Sequence, residues 1–200
     1  MLQNVKNITK SVVLVGPMGS GKSAIGRRLA KKLKLPFYDV DSVIESRKML
    51  SITEIYDFMG EEYLAQLEAQ TLKEILSYGI SVISASGNIT FTNSLYNIIK
   101  EKSISIAILA DKDVLYERLM RRNVRPSFSH AKDKYAFVEK MISDMEAIAP
   151  KLNHTLINNS TELHQITYFI AKKVVELNHR NNSFFENKTQ HISRFMQKTV

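Results

Sequence analysis

The stretch VGPMGSGKSAIG, from Val15 to Gly26, restricts the fold of this chain more than any other segment. Gly16, Gly21, Lys22 and Ser23 meet the spacing G-x-x-x-x-G-K-[S/T] in full, with Gly19 inside it. An apolar run, SVVLVG (11–16), precedes the motif. Lys22 to Leu33 follows, placing Ile25, Leu29 and Leu33 four apart on one helical face. Strand, glycine turn and helix in that order are the setting of a phosphate-binding loop. Its glycines let the backbone turn sharply and bring N–H groups against phosphate oxygens. The helix start adds the positive end of its dipole. Lys22 is placed to reach the β- and γ-phosphates, and the Ser23 hydroxyl to ligate Mg²⁺. Gly16, Gly19, Ser20, Gly21, Lys22, Ser23 and Ala24 form the expected nucleotide-binding set. The chain therefore binds a nucleoside triphosphate or descends from one that did.

The remaining pattern is α/β. Short apolar runs at SVVLVG (11–16), FYDV (37–40), ISVISA (80–85), ISIAIL (104–109) and HTLIN (154–158) read as buried parallel strands. Helical stretches alternate with them. Gly60 to Tyr78 turns Leu64, Leu67, Leu72 and Leu76 inward, and Asp113–Arg122 and Glu162–Leu177 are two more. Alternation of this kind gives right-handed crossovers and a parallel sheet covered on both faces. The expected organisation is one domain over 1–178, a polar lid near 123–135, and a basic, loosely ordered tail over 179–200 with room for a short helix at 189–198.

Composition narrows the function classes. The 200 residues carry a net charge of +8, 44% are hydrophobic, and there is no cysteine. Disulfides and cysteine-bound zinc are excluded, and a cytoplasmic setting fits. No apolar run approaches the length of a membrane span, and the start of the chain reads as a strand rather than a signal peptide. The basic residues are scattered, with Arg27, Arg28, Lys31, Lys32 and Lys34 on the wet face of one helix. No aromatic-interleaved basic stripe points to nucleic acid. The expected partner is a small-molecule substrate, and the expected state a monomer.

Asp39 and Asp41 form a second constellation. They are two apart, so both point the same way if the strand continues, at the carboxyl end where ligands sit in such sheets. One carboxylate near Mg²⁺ and one facing a substrate hydroxyl divides the work sensibly. The plainer alternative makes Asp41 the N-cap of the helix SVIESR.

These residues resemble the shikimate kinase family. The likeness rests on the loop, on F-Y-D-x-D at 37–41, and on the block ITEIYDFMGEEYLAQLE (52–68), and continues through VISASGNIT (82–90) and RRNVRP (121–126) to about Leu177. It implies a three-layer nucleoside-monophosphate-kinase-like fold, a five-stranded parallel sheet in order 2-3-1-4-5. ATP and Mg²⁺ are the implied cofactors, with transfer of the γ-phosphoryl to the 3-hydroxyl of shikimate. By the family pattern Ser23 is the metal ligand, with Asp39 and Ser84 in its water shell. Asp41 holds substrate hydroxyls and orients the attacking one. Lys22, Asp41 and Arg125, the lid arginine, are the catalytic set. Arg122 lies against adenine, and the stretch 158–161 edges it. Glu68 and Gly87 belong to the substrate side; the alternative for Glu68 is a solvated helix glutamate.

The sequence departs from the family on that same side. Ala65 and Ile148 stand where the family has arginines for the substrate carboxylate, and Ser86-Gly87-Asn88 replaces a three-glycine turn. A hydrogen bond to a charged group contributes roughly 1.5–3 kcal/mol, so two lost arginines amount to about 3–6 kcal/mol of binding. Nearby Lys151 and Gln66 are partial substitutes, although a lysine cannot copy a bidentate fork. Three readings stay open: a shikimate kinase-type enzyme with a weakened substrate site, a kinase for another small hydroxy acid or a nucleotide, or a degenerate ATP-binding paralogue in a regulatory role, with the basic tail as its contact surface.

Overall fold

A computed structural model describes residues 8–86, 92–121, 126–159 and 162–196, with side chains through 179. Its elements run β1 (Ser11–Val15), α1 (Lys22–Leu33), β2 (Phe37–Asp39), α2 (Val40–Lys48), α3 (Ile52–Ile75), β3 (Val82–Ser84) and α4 (Asn93–Lys102). They continue with β4 (Ser103–Leu109), α5 (Lys112–Met120), α6 (Pro126–Ser129), α7 (Lys134–Glu146), a 3-10 turn (Ala149–Lys151), β5 (His154–Ile157) and α8 (Leu163–Met196). The five strands pair in parallel in the order β2-β3-β1-β4-β5, as the sequence pattern implies.

Every residue of β1 is buried, because helices cover both faces of the sheet. The strand's period of two divides its side chains between those faces. Val13 and Val15 pack with Ile44, Ile55, Leu72 and Leu95 from α2, α3 and α4. Val12 and Leu14 pack with Ile25, Leu29, Ile170 and Val174 from α1 and α8. A third cluster joins Met18 of the glycine loop to Leu115, Leu119, Phe128, Val138 and Met141 from α5, α6 and α7. The loop thus rests on packed helices rather than on solvent.

Two boundaries differ from the sequence reading. The long helix begins at Ile52 rather than at Gly60, and kinks at Gly60 (φ 85°, ψ 170°). Ser51 starts it with a reciprocal capping box: its hydroxyl accepts from Glu54 N, and Glu54 Oε2 accepts from Ser51 N at 2.7 Å. The last helix does not stop near Leu177 but runs to Met196, because the chain holds no proline or glycine over that span to end it. Of the residues expected as a tail over 179–200, those through 196 continue this helix, and 197–200 lie outside the described residues.

Part of the expected lid is now placed. Pro126–Ser129 forms α6, with Pro126 and Phe128 buried and the Phe128 ring edge-on to Phe137 at 5.9 Å. His130 meets the ring of Tyr56 on α3 at 6.2 Å. Residues 123–125 lie outside the described residues.

Candidate active site

The glycine loop leaves β1 at the carboxyl edge of the sheet and enters α1. Gly16 must lack a side chain: a Cβ there would meet the Ile108 carbonyl oxygen of β4 at 2.1 Å. Gly21 is the N-cap of α1 with a left-handed backbone (φ 94°), and a Cβ there would meet Asn158 Nδ2 at 2.8 Å. Lys22 is buried, and its ammonium donates to the carbonyls of Gly16 at 2.8 Å and Pro17 at 3.0 Å. The lysine charge is thereby drawn across the loop's own mouth, where an anionic group would be received. Ser20 is fully buried and Ala24 is exposed.

Two residues that the motif does not contain hold the loop. Asn158, at the end of β5, donates from Nδ2 to the Ser20 carbonyl at 2.7 Å. Arg118 on α5 donates to the Gly19 carbonyl at 3.4 Å. Asn158 was legible only as part of the stretch 158–161. Arg118 carried no signal among the neighbouring basic residues. Arg122 and Arg125, the arginines singled out from the sequence, lie outside the described residues.

Beside the loop stands a row of oxygen donors. The Ser23 and Ser84 hydroxyls are 3.3 Å apart. Asp39 pairs with Ser84 in the β2–β3 ladder and is buried. The strand does not continue to Asp41: β2 ends at Asp39, which caps α2 by accepting from Ser42 N at 3.4 Å. The N-cap is therefore Asp39 and not Asp41, and Asp41 sits in the first helical turn. Asp39 thus belongs to the ladder's last pair and Asp41 to the first turn of α2. Asp41 Oδ1 accepts from the Ser86 hydroxyl at 2.5 Å. Ser86 entered the sequence reading only as a missing glycine. Among the described residues, no group of three or more His, Cys, Asp or Glu forms a metal cage. The oxygen-only set of Ser23, Ser84 and Asp39 has the chemistry of a hard cation that keeps much of its water.

On the substrate side Glu68 is buried at 1% exposure, which removes the reading of a solvated helix glutamate. Leu64 on the same helix belongs to the core cluster against which Ile148 packs. Ala65 is half-buried. Gly87 lies outside the described residues.

Comparison with known proteins decides the lineage. Residues 18–177 match the shikimate kinase family model. The shikimate kinase of Bartonella quintana is 32% identical over 178 residues, covering 86% of this chain and 84% of that protein. The chain belongs to the shikimate kinase family. The shikimate kinase of Rhodopseudomonas palustris is 40% identical over 117 residues, 58% of each chain. Among solved structures, shikimate kinase from Acinetobacter baumannii in complex with shikimate superposes with a TM-score of 0.76 at 23% identity, covering 86% of this chain and 94% of that one. The Aquifex aeolicus shikimate kinase gives 0.69 at 26% identity, covering 86% and 98%. Membership makes the chain a shikimate kinase-type phosphotransferase with ATP as phosphoryl donor. The predicted fold is the family's fold. No helix among the described residues is long and apolar enough to cross a membrane.

Proposed function

We propose that the chain transfers the γ-phosphoryl group of ATP to the 3-hydroxyl of shikimate, as a monomer in the cytoplasm, through a substrate site with a weakened carboxylate grip. The observation that carries this reading is the adjacency of the two halves of the site. The phosphate loop presents Ser23 at 3.3 Å from Ser84, and Ser84 pairs with Asp39 one residue before α2 brings in Asp41. Donor phosphates and acceptor hydroxyl therefore meet at one carboxyl edge of the sheet.

The roles are those the family pattern implies for these positions. Gly16, Gly19, Ser20, Gly21 and Ala24 wrap the phosphates, and Lys22 turns its ammonium from the loop carbonyls to the β- and γ-oxygens. Ser23 would hold Mg²⁺ directly, and Asp39 and Ser84 would hold it through water. When bound, Mg²⁺ neutralises developing phosphate charge. Asp41 accepts the proton of the attacking hydroxyl as its oxygen bonds to the γ-phosphorus. The bond to the bridging oxygen breaks and ADP departs. Arg125 stabilises the charge on the moving phosphoryl group, Arg122 lies against adenine, and Glu68 and Gly87 shape the acceptor pocket. Most of the catalysis is positioning and electrostatics.

A second reading, an ATP-binding paralogue with a regulatory role or a kinase for another hydroxy acid, is favoured by one observation. Ile148 is spent on core packing and offers nothing to a carboxylate. Phosphorus NMR of the product separates the readings. A new ester resonance with the coupling of a 3-phosphate supports shikimate. Products from a different hydroxy acid alone, or none, support the second.

A further inference from the structure

We infer that Ser86 is a positioning residue for the reaction: its hydroxyl fixes the carboxylate of Asp41 and ties it to the strand that carries the phosphate loop. The inference rests on the proposed role of Asp41 as acceptor of the substrate proton. Its geometric basis does not.

The β2–β3 ladder pairs Asp39 with Ser84. Two residues further along each chain, Asp41 and Ser86 face each other above the ladder's end. The chain has by then left the strand on the β2 side and turned into α2, so ladder hydrogen bonds no longer hold Asp41. A carboxylate in the first turn of a helix can swing through its own rotamers. Ser86 restricts it. The hydroxyl donates to Asp41 Oδ1 at 2.5 Å, the short range of a charge-assisted O–H···O⁻ bond.

The anchor beneath Ser86 is rigid. Ser86 and Ala85 are each 2% exposed. Ala85 N donates to the Leu14 carbonyl at 2.9 Å, extending the pairing of β3 with β1 past the last strand residue. One residue after Leu14 is Val15, and the glycine loop begins there. An unbroken path thus runs from the phosphate loop through β1, the Ala85 amide and the Ser86 hydroxyl to Asp41. The acceptor-side carboxylate is referenced to the same strand that positions the phosphates. Misplacement of a reacting group by about 1 Å can cost on the order of a hundredfold in rate, so such a reference has catalytic value.

Burial sharpens the point. A hydroxyl closed off from water needs a partner, and Asp41 is the partner it has. An alanine at 86 would fill nearly the same space and remove the hydroxyl that donates to Asp41 Oδ1.

The test uses the full chain with ATP and shikimate. Ser86→Ala should lower kcat about tenfold while the KM for ATP changes less than twofold. Ser86→Thr, which keeps the hydroxyl, should retain at least a third of the original kcat. An Ala variant with unaltered kcat, an equal loss in ATP affinity, or a Thr variant as slow as Ala would overturn the inference. A stability cycle over Ser86→Ala, Asp41→Asn and the double variant reads the tie without turnover. The double variant should lose less Tm than the two singles together, and losses that simply add would overturn the tie. Absence of shikimate-dependent turnover in the unaltered protein contradicts the proposed function instead, and the cycle then decides on Ser86 alone.

Discussion

Asn158 donates its side-chain amide to the Ser20 carbonyl at 2.7 Å, and that contact joins the last strand of the sheet to the phosphate loop. It also explains why Gly21 is fixed as glycine from two directions: its backbone is left-handed, and Asn158 occupies the space a Cβ would need.

Gly21→Ala should therefore disturb the nucleotide site before it disturbs the core. A left-handed alanine costs about 1–2 kcal/mol, and the Asn158 contact must open as well. The expected result is a fall in Tm of several degrees and at least a tenfold weaker ATP affinity by titration. An unchanged affinity would show that the loop is not held in this way.

Acidification should weaken the fold through His154. Burial, reinforced by the Lys173 charge and opposed by Glu176, holds its pKa below the ordinary 6.5. As pH falls through about 6.5 the unfolded chain takes up this proton first, so stability declines until the folded pKa is passed. The imidazole is only half-buried, so the effect is small, about one to two degrees in Tm. Melting curves from pH 7.5 to 5 should show that decline, and His154→Gln should flatten it. A slope identical in both proteins would assign the dependence elsewhere.

Restoring arginines should restore grip. Ala65→Arg and Ile148→Arg together should lower the KM for shikimate by about tenfold or more, since each charge-assisted contact is worth roughly 1.5–3 kcal/mol before reorganisation. Ile148→Arg should also lower Tm, because Ile148 packs against the core. A KM indifferent to both changes would mean that these positions do not face the substrate.

Arg125→Ala should lower kcat far more than ATP affinity, as expected of a group acting on the transferring phosphoryl. Equal losses in both would make Arg125 a nucleotide-binding residue instead.

The sheet was legible because buried parallel strands are short apolar runs, and SVVLV and ISIAIL have few other uses. The phosphate loop was legible because its chemistry needs fixed residues at fixed spacing. Whether Asp41 stays on a strand or enters a helix was left open because alternation over FYDVD cannot show that the ladder stops at Asp39, which depends on the Asp39 cap. Ser86 read as a lost glycine. Its bond to Asp41 exists only through the pairing of two strands 45 residues apart in sequence. The long α8 was cut short in the reading because its Asn-rich, basic second half carries only a weak apolar set (Phe184, Phe185, Ile192, Phe195 and Met196) beside the clear face marked by Ile166, Ile170 and Val174.

The most direct measurement is a coupled assay of ADP release with ATP and Mg²⁺, with and without millimolar shikimate, in the unaltered protein and in Lys22→Ala. Shikimate-dependent release in the first, reduced at least a hundredfold in the second, is the predicted result. ATP binding with no shikimate-dependent release at any concentration tested would contradict it.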